Sequence, residues 1–367
     1  MLNNTMVSSE GLPVVLFGYE SSTFTAKVRL ALKLKQIPYY FVEVPSMMPR
    51  PLLVKLFNLT YRKIPVLAIG TDVYCDSSII LEALEHQFPA SNGYQSLYPR
   101  DATGRTNQAL IRGFASYWTD RPLFRVTTGL IPGSVWRTSF GEDRAKLIGH
   151  KLDPDKLEKK LPENLSKLDL QLSLLEDLFR EADDEWVFWT PEPSAADIAI
   201  WYQLNWGMDI AAGKGIYNLT GGRTEDTKDK LGATSVFNKE RYPATWLWFE
   251  RFKIHMDRLP DVETKIGEVE VEKLLTSVRD QGPKLLPTPA APHFELDKQN
   301  GLVQGTIVSV VPDDTGRDDP SFGELVAITP EEVVIRPLSK NVRPLVDARI
   351  HFPRLGFVIR VAKDKKL

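Results

Sequence analysis

Hydrophobic and polar positions at the start of the chain switch between strand-like runs and helical spacing. The apolar run at 14–17 ends at Gly18, which is typical of a short buried strand. Apolar residues then recur at helical spacing from Phe24 to Leu32, after hydroxyl residues that can cap a helix. The elements predicted next are a strand over 39–44, a helix over 49–57, a strand over 64–69 and a helix that Asp76–Ser77 opens and Pro89 ends. This order predicts an α/β domain over 13–89.

Helical spacing replaces the strands after a linker. That linker, rich in Pro, Gly, Ser and Asn, is predicted at 90–104. Leucines then form a stripe over 161–179 that is typical of the core of a helical bundle. Ser194 and Asp197 form a capping box in front of another apolar run. These patterns predict an all-α domain over 105–282.

Strand patterns return after a proline-rich linker at 283–293. Short alternating segments separated by turn residues predict a small antiparallel β domain over 294–367, for which an interface or stability is the default role. Residues 1–12 are expected to be disordered, and the insertion at 213–240 to be a lid or a disordered surface loop. The predicted strands cover 303–311, 323–328, 332–336, 348–352 and 356–361.

Composition and charge exclude several classes of protein. With 46 basic and 48 acidic residues the net charge is -2, whereas nucleic-acid binding needs a basic excess. No apolar run approaches the roughly 20 residues that cross a bilayer, and the N-terminal segment lacks the pattern of a secretory signal. The single cysteine, Cys75, fits a reducing cytoplasm and is expected to be a small buried residue. The five histidines are scattered, so no metal site is predicted.

Several motifs resemble those of the cytosolic glutathione S-transferases. Residues 22–29 (STFTAKVR) lie where that family has a Ser- or Cys-Pro-Phe stretch followed by a basic residue, Val and Arg. Residues 63–67 (KIPVL) match its cis-proline loop, and Asp76–Ser77 match its acid-serine pair. Since the capping box and residues 241–251 resemble helices of its second domain, the resemblance covers about 14–265 and implies a thioredoxin-like first domain. The tail is similar to that of enlarged members from filamentous fungi.

The resemblance implies that Ser22 is the catalytic residue. A hydroxyl at a helix start can donate to the thiolate of glutathione, and the helix dipole favours that negative charge. Together they would lower the pKa of the thiol. Two departures stand against this role, because Thr23 replaces the family's proline and Glu20 makes the local field less favourable to an anion. Ser22 is also an ordinary helix cap.

The same resemblance implies a glutathione-binding group on the loop and helix that follow. Lys63, Ile64 and Pro65 belong to this group. A cis bond at Pro65 would present the main chain of Ile64 as an antiparallel edge for a peptide. The carboxylate of Asp76 would take the α-amino group of glutathione. Ser77, at a helix start, would take its α-carboxylate.

A hydrophobic substrate pocket is implied beside the first long helix of the second domain. Residues 120–122 (DRP) are expected to break that helix and open space. Arg121 and Arg125 are the candidates for a polar group of the substrate. Ordinary helix packing is the alternative for each aromatic residue. The predicted lining residues are Tyr19, Phe24, Tyr117, Trp118, Arg121, Phe124 and Arg125.

Three functional hypotheses stay open. The first is a glutathione-dependent enzyme that conjugates or isomerises a hydrophobic electrophile. The second is a cyclase, dehydratase or isomerase of fungal secondary metabolism that keeps the scaffold without glutathione. The third is a non-catalytic binding or regulatory protein. The family pairs into two-fold dimers, so the resemblance implies a homodimer unless the added tail prevents it.

Overall fold

The computed structural model describes residues 11–182, 185–214, 232–338 and 343–362. Its first elements are β1 (Val14–Gly18), α1 (Thr23–Leu34), β2 (Tyr39–Glu43), α2 (Pro51–Phe57), β3 (Val66–Ile69), β4 (Asp72–Cys75) and α3 (Ser77–Gln87). Strand β1 pairs with β2 in parallel and with β3 in antiparallel register, and β4 completes the hairpin. This is the thioredoxin-like arrangement that the sequence predicts.

Helices make up the second part. They are α4 (Gln108–Gly113), a π-helical segment (Phe114–Leu123), α5 (Phe124–Thr128), α6 (Gly133–Trp136), α7 (Ser139–Ile148), α8 (Pro154–Lys159), α9 (Leu161–Ala182), α10 (Ala195–Ala211) and α11 (Pro243–Arg258). The leucine stripe of α9 is buried as predicted. The predicted break at 120–122 is wrong, because the chain stays helical through Pro122. A π-helical turn accommodates the residue that lacks an N–H for an ordinary α-helical bond.

The last part contains all five predicted strands. Its elements are β5 (Glu263–Lys265), α12 (Glu268–Thr276), α13 (Phe294–Gln299), β6 (Ile307–Pro312), β7 (Ser321–Ile328), β8 (Glu332–Pro337), β9 (Arg349–Pro353) and β10 (Phe357–Val361). Strands β6 to β10 are antiparallel to their neighbours within this group, as expected. The fold class predicted from the sequence is therefore confirmed.

The C-terminal strands extend the sheet of the first domain. In the described part of the chain, ten strands form one sheet in the order β10-β6-β7-β8-β9-β4-β3-β1-β2-β5. The junction is a parallel pair in which β4 lies beside β9, with Asp72 opposite Arg349 and Tyr74 opposite His351. A single hydrophobic cluster contains both Val66 of β3 and Ile350 of β9. Thus the tail packs on the first domain through main-chain pairing and a shared core.

Some predictions fall outside the described residues. The disorder predicted at 1–12 lies outside them except at residues 11 and 12. Most of the insertion predicted at 213–240 also lies outside them. The domain boundaries remain predictions, since one sheet runs across them. Among the described helices, none has the length and apolar character needed to span a bilayer.

Candidate functional site

A cleft of about 280 Å³ lies where the three parts of the chain meet. One wall comes from the start of α1, the loop before β3 and the start of α3. A second wall comes from the π-helical segment and helices α5, α6, α7 and α10. The third wall comes from two C-terminal turns, at 314–315 and 355–357. The C-terminal strands, for which the sequence predicts no chemistry, therefore help to shape the cleft.

Most residues predicted for the site line this cleft. Three do not: Tyr117 is 57% exposed, Arg125 is exposed, and Trp118 packs elsewhere. The indole of Trp118 contacts the Phe114 ring and donates to Gln171 of α9, so its position is fixed by helix packing. The predicted residues that line the cleft are Tyr19, Ser22, Phe24, Lys63, Ile64, Pro65, Asp76, Ser77, Arg121 and Phe124.

Hydroxyl groups gather at the start of α1. The Ser22 side chain is 5% exposed, and its Oγ accepts a hydrogen bond from the Thr25 N–H at 3.2 Å. Its own proton remains available to donate. Ser21 and Thr23 also line the cleft, and their buried hydroxyls have no partner among the described residues. These orphaned groups fit a ligand with several acceptor atoms.

The loop before β3 has the predicted backbone geometry. The Ile64–Pro65 bond is cis, which confirms the prediction. The main-chain groups of Ile64 do not pair with the main chain of another described residue. They can therefore pair with an extended ligand in the cleft.

The acid-serine pair is held by a buried network. Asp76 caps α3 through Oδ1, which accepts from the Ser78 N–H at 2.9 Å and from the Ser78 hydroxyl at 2.6 Å. Neither bond uses its second carboxylate oxygen. The Ser77 Oγ accepts from Lys27 Nζ at 3.3 Å, and Lys27 forms an ion pair with Asp120 at 2.6 Å. Because Lys27 is only 1% exposed, this ion pair ties the site to the helical part of the chain.

Aromatic rings form the apolar wall of the cleft. The Phe24 and Phe124 ring centroids are 4.9 Å apart, and Phe124 stacks on Trp206 at 5.9 Å. Trp136 and Phe140 continue the wall at 5.9 Å from each other. Offset and edge contacts of this kind suit a planar apolar substrate. The sequence shows dense aromatics here, but only the fold selects those that face the cleft.

Arginines give one end of the cleft a basic character. Arg50, Arg62 and Arg144 line it, and none of them was predicted from the sequence. Burial lowers the pKa of Arg50 to about 10, so its guanidinium stays charged at neutral pH. Asp143 forms ion pairs with both Arg62 and Arg144, and Asp319 lies 3.1 Å from Arg62, so two carboxylates offset two of the three charges. The remaining excess favours a ligand that carries carboxylates.

Lys63 and Glu20 each have an ion-pair partner that the sequence does not reveal. Lys63 Nζ lies 2.5 Å from Asp314 Oδ1, so this lysine is already paired. Burial raises the pKa of Asp314, but Lys63 outweighs burial and holds it below its usual value. The Arg29 hydrogen bond lowers the pKa of Glu20 to about 2. Since Glu20 is neutralised by Arg29 at 2.5 Å, the unfavourable field expected from it is offset.

Cys75 is a packed apolar group. It is fully buried, and burial raises the pKa of its thiol well above the usual value, so it does not supply a nucleophile. Across the described ranges, no three His, Cys, Asp or Glu side chains are arranged to hold a metal ion.

Comparison with known proteins agrees with this geometry. Residues 16–92 match the family described as Glutathione S-transferase, N-terminal domain, and residues 129–216 match a domain of unknown function (DUF7962). The chain therefore resembles the glutathione S-transferases, and its N-terminal part matches their N-terminal domain. A probable glutathione S-transferase from Solanum tuberosum is 33% identical to it over 135 residues, which are 36% of this chain and 54% of that protein. Glutathione S-transferase U1 from Arabidopsis thaliana is 32% identical over 135 residues, 37% of this chain and 57% of that protein.

The GST-like chain spans only about half the length of these curated relatives. A solved GST-like protein from Pseudomonas syringae shares the fold with a TM-score of 0.60 and 23% identity, over 95% of this chain and 99% of that one. The shared fold therefore includes the C-terminal strands, and the fungal origin predicted for this tail stays a prediction. The homodimer and the cytoplasmic location also stay predictions.

Proposed function

We propose that the chain is a glutathione-dependent transferase that acts on a hydrophobic electrophile. One observation carries the proposal: the hydroxyl-bearing start of α1, the cis Ile64–Pro65 edge and the Asp76–Ser77 helix start line one cleft with an aromatic wall. The orphaned hydroxyls and the basic end of the cleft support a ligand with carboxylates and other acceptors.

Each residue has a defined task in this proposal. Ile64 pairs with the main chain of the peptide, and Asp76 offers its second oxygen to the α-amino group. Ser77, fixed by Lys27, receives the α-carboxylate at the start of α3. Ser22 donates a hydrogen bond to the sulfur and, with the α1 dipole, favours the thiolate, whose proton is released to solvent. Glutathione supplies the nucleophile: its sulfur forms a bond to an electrophilic carbon, and the leaving group departs with the electron pair of the broken bond.

Calorimetry with glutathione and an assay with chlorodinitrobenzene test the proposal. In the assay a carbon–sulfur bond forms and chloride leaves. Ser22→Ala is expected to lower kcat/KM about 100-fold, since it removes a donor to developing charge. Ser91→Ala, on an exposed turn, is the matched control and is expected to keep full activity. Absence of binding at millimolar glutathione would refute the proposal.

A second candidate is an enzyme that uses the same cleft without glutathione. The Lys63–Asp314 ion pair favours it, because it occupies a predicted glutathione-binding residue. This enzyme would cyclise, dehydrate or isomerise an apolar substrate by holding it in a reactive geometry. This candidate would be supported if the wild-type protein does not bind glutathione but binds planar apolar compounds that displace a fluorescent dye. Loss of dye binding in Trp206→Ala would locate the compounds at the aromatic wall.

A further inference from the structure

Tyr61 is a buried tyrosine on the loop that precedes the cis bond. Its side chain is 3% exposed and lines the cleft beside Ile64. The hydroxyl has no hydrogen-bond partner among the described residues. Buried polar groups in native proteins are nearly always paired, so an unpaired one in a cleft indicates a ligand contact.

The C-terminal strands hold the ring of Tyr61. Phe352 of β9 meets it edge-on with the centroids 5.6 Å apart, and Phe357 of β10 lies at 6.2 Å. Phe352 is fully buried and does not line the cleft, so it supports the ring from behind. The position of the Tyr61 hydroxyl is therefore set by strands that lie far away in the sequence.

The surroundings of the hydroxyl make it a donor. Burial raises the pKa of Tyr61 well above the usual value, and the Asp76 charge acts in the same direction. The phenol therefore keeps its proton throughout the physiological pH range. Arg50 opposes that shift and adds a positive charge close by. Asp314 raises the pKa of Tyr61 as Asp76 does. A buried phenol that keeps its proton can donate to an oxygen acceptor on a ligand.

We infer that Tyr61 donates a hydrogen bond to an oxygen atom of glutathione bound in the cleft, and that Phe352 positions it. The inference rests on the proposed function. Tyr61 contributes to affinity for the peptide and leaves the sulfur to Ser22. The C-terminal strands thereby acquire a role in ligand binding, which neither the motifs nor the comparisons assign.

Tyr61→Phe removes only the hydroxyl and keeps the ring contacts. Calorimetry on the full chain is expected to show a Kd about five- to tenfold higher for glutathione, the effect of one lost hydrogen bond. S-methylglutathione, which has no thiol proton, is expected to show the same loss. Tyr40→Phe, on β2 outside the cleft, is the matched control and is expected to bind both ligands like the wild type.

Each other outcome decides against the inference. An unchanged Kd in Tyr61→Phe overturns it while the wild type still binds. A loss seen with glutathione but absent with S-methylglutathione overturns it too, because the acceptor would then be the sulfur. If the wild type binds neither ligand, the proposed function itself has failed, and the wild-type titration shows that first.

The positioning role of Phe352 has its own test. Phe352→Leu is expected to raise the Kd for glutathione in the wild-type background and to add nothing in the Tyr61→Phe background. Additive losses would overturn the positioning role. If Phe352→Leu does not fold, Phe352→Met replaces it in the same cycle, because the flexible methionine side chain fills an irregular space in a core.

Discussion

A single oxygen at Ser22 serves both the fold and the proposed chemistry. As an acceptor it caps α1 through the Thr25 N–H. As a donor it faces the cleft, where the first turn of α1 favours negative charge. A loss of activity in Ser22→Ala would therefore mix two effects. Substitutions that remove the donor at little cost to the cap can separate them.

Ser22→Gly, compared with Ser22→Asp and Ser22→Ala, is expected to separate the cap from the chemistry. A carboxylate caps a helix as well as a hydroxyl does, but Ser22 is only 5% exposed, so the buried charge should lower the free energy of unfolding by about 1 to 3 kcal/mol. Ser22→Gly removes the donor without adding a charge, and because glycine is tolerated at an N-cap its loss of stability should be only a few tenths of a kcal/mol. Ser22→Ala should lose about 1 kcal/mol. All three variants should lose conjugation, since glycine and alanine have no side-chain donor and the introduced carboxylate would repel a thiolate. Urea denaturation and the chlorodinitrobenzene assay measure the two quantities. A Ser22→Gly variant with wild-type activity would show that the donor is unnecessary.

Local motifs predict only part of the site at this scale. Ser22, Pro65 and Asp76 carry recognisable sequence patterns, and all three line the cleft. Asp314 lies 251 positions from Lys63, and no local spacing marks such a pair. Tyr61 likewise becomes informative only when its unpaired hydroxyl is seen in the fold.

Helix α10 shows how one element is fixed at its start. The capping box predicted from Ser194 and Asp197 is present. Asp197 does more than cap, because its Oδ1 also accepts from the Val187 N–H at 3.1 Å and from Trp248 Nε1 at 2.9 Å. A buried carboxylate thus joins α10, the preceding turn and α11. The extra partners could not be predicted, since Trp248 lies 51 positions away.

Asp197→Ala is expected to destabilise the chain far more than Ser194→Ala. The first variant leaves several buried donors without an acceptor and should lower the free energy of unfolding by about 3 kcal/mol or more. The second removes one cap and should cost about 1 kcal/mol. Urea denaturation followed by tryptophan fluorescence measures both. Equal losses would mean that Asp197 acts only as part of the cap.

The sequence predicts best the elements whose apolar residues recur with a clear helical or strand period. Helix α9 and the strands β6 to β10 follow apolar patterns, and the structure contains each of them. The sequence does not predict strand β5, because its three residues, ETK, are all polar. It pairs in parallel with β2 through the main chain, which needs no apolar pattern.

Buried charges join the C-terminal strands to the first domain at the scale of the whole molecule. His351 Nε2 lies 3.1 Å from Asp72 Oδ1, and Nδ1 lies 2.9 Å from Glu332 Oε2. Arg349 Nε is 2.7 Å from the same Asp72 oxygen. Burial lowers the pKa of His351, but its hydrogen bonds to Asp72 and Glu332 outweigh burial and raise the pKa above the usual value. Both ring nitrogens face carboxylate oxygens, so the protonated imidazole, in which both nitrogens donate, fits the parallel junction of β4 and β9.

The sign of the pH dependence follows from this shift. The folded chain holds the His351 proton more tightly than the unfolded chain, so this contribution is complete below about pH 6.5. It is lost as the pH rises through the higher folded pKa. The pKa of Asp72 is lowered, because burial is outweighed by His351 and Arg349. Its contribution is present above about pH 3.9 and is lost as the pH falls through the lower folded pKa.

His351→Gln is expected to remove the alkaline part of this dependence. At pH 6 it should lower the free energy of unfolding by about 3 kcal/mol, the effect of removing one partner of a buried ion pair. The loss should shrink as the pH rises, because the wild type itself loses the contribution as the pH passes the folded pKa. Urea denaturation between pH 6 and 9 gives both curves. His150→Gln, at an exposed histidine, should keep the wild-type slope. If His351→Gln shows the same slope as the wild type, the junction of β4 and β9 is not held by a protonated imidazole, and its stability must come from strand pairing and the shared apolar core.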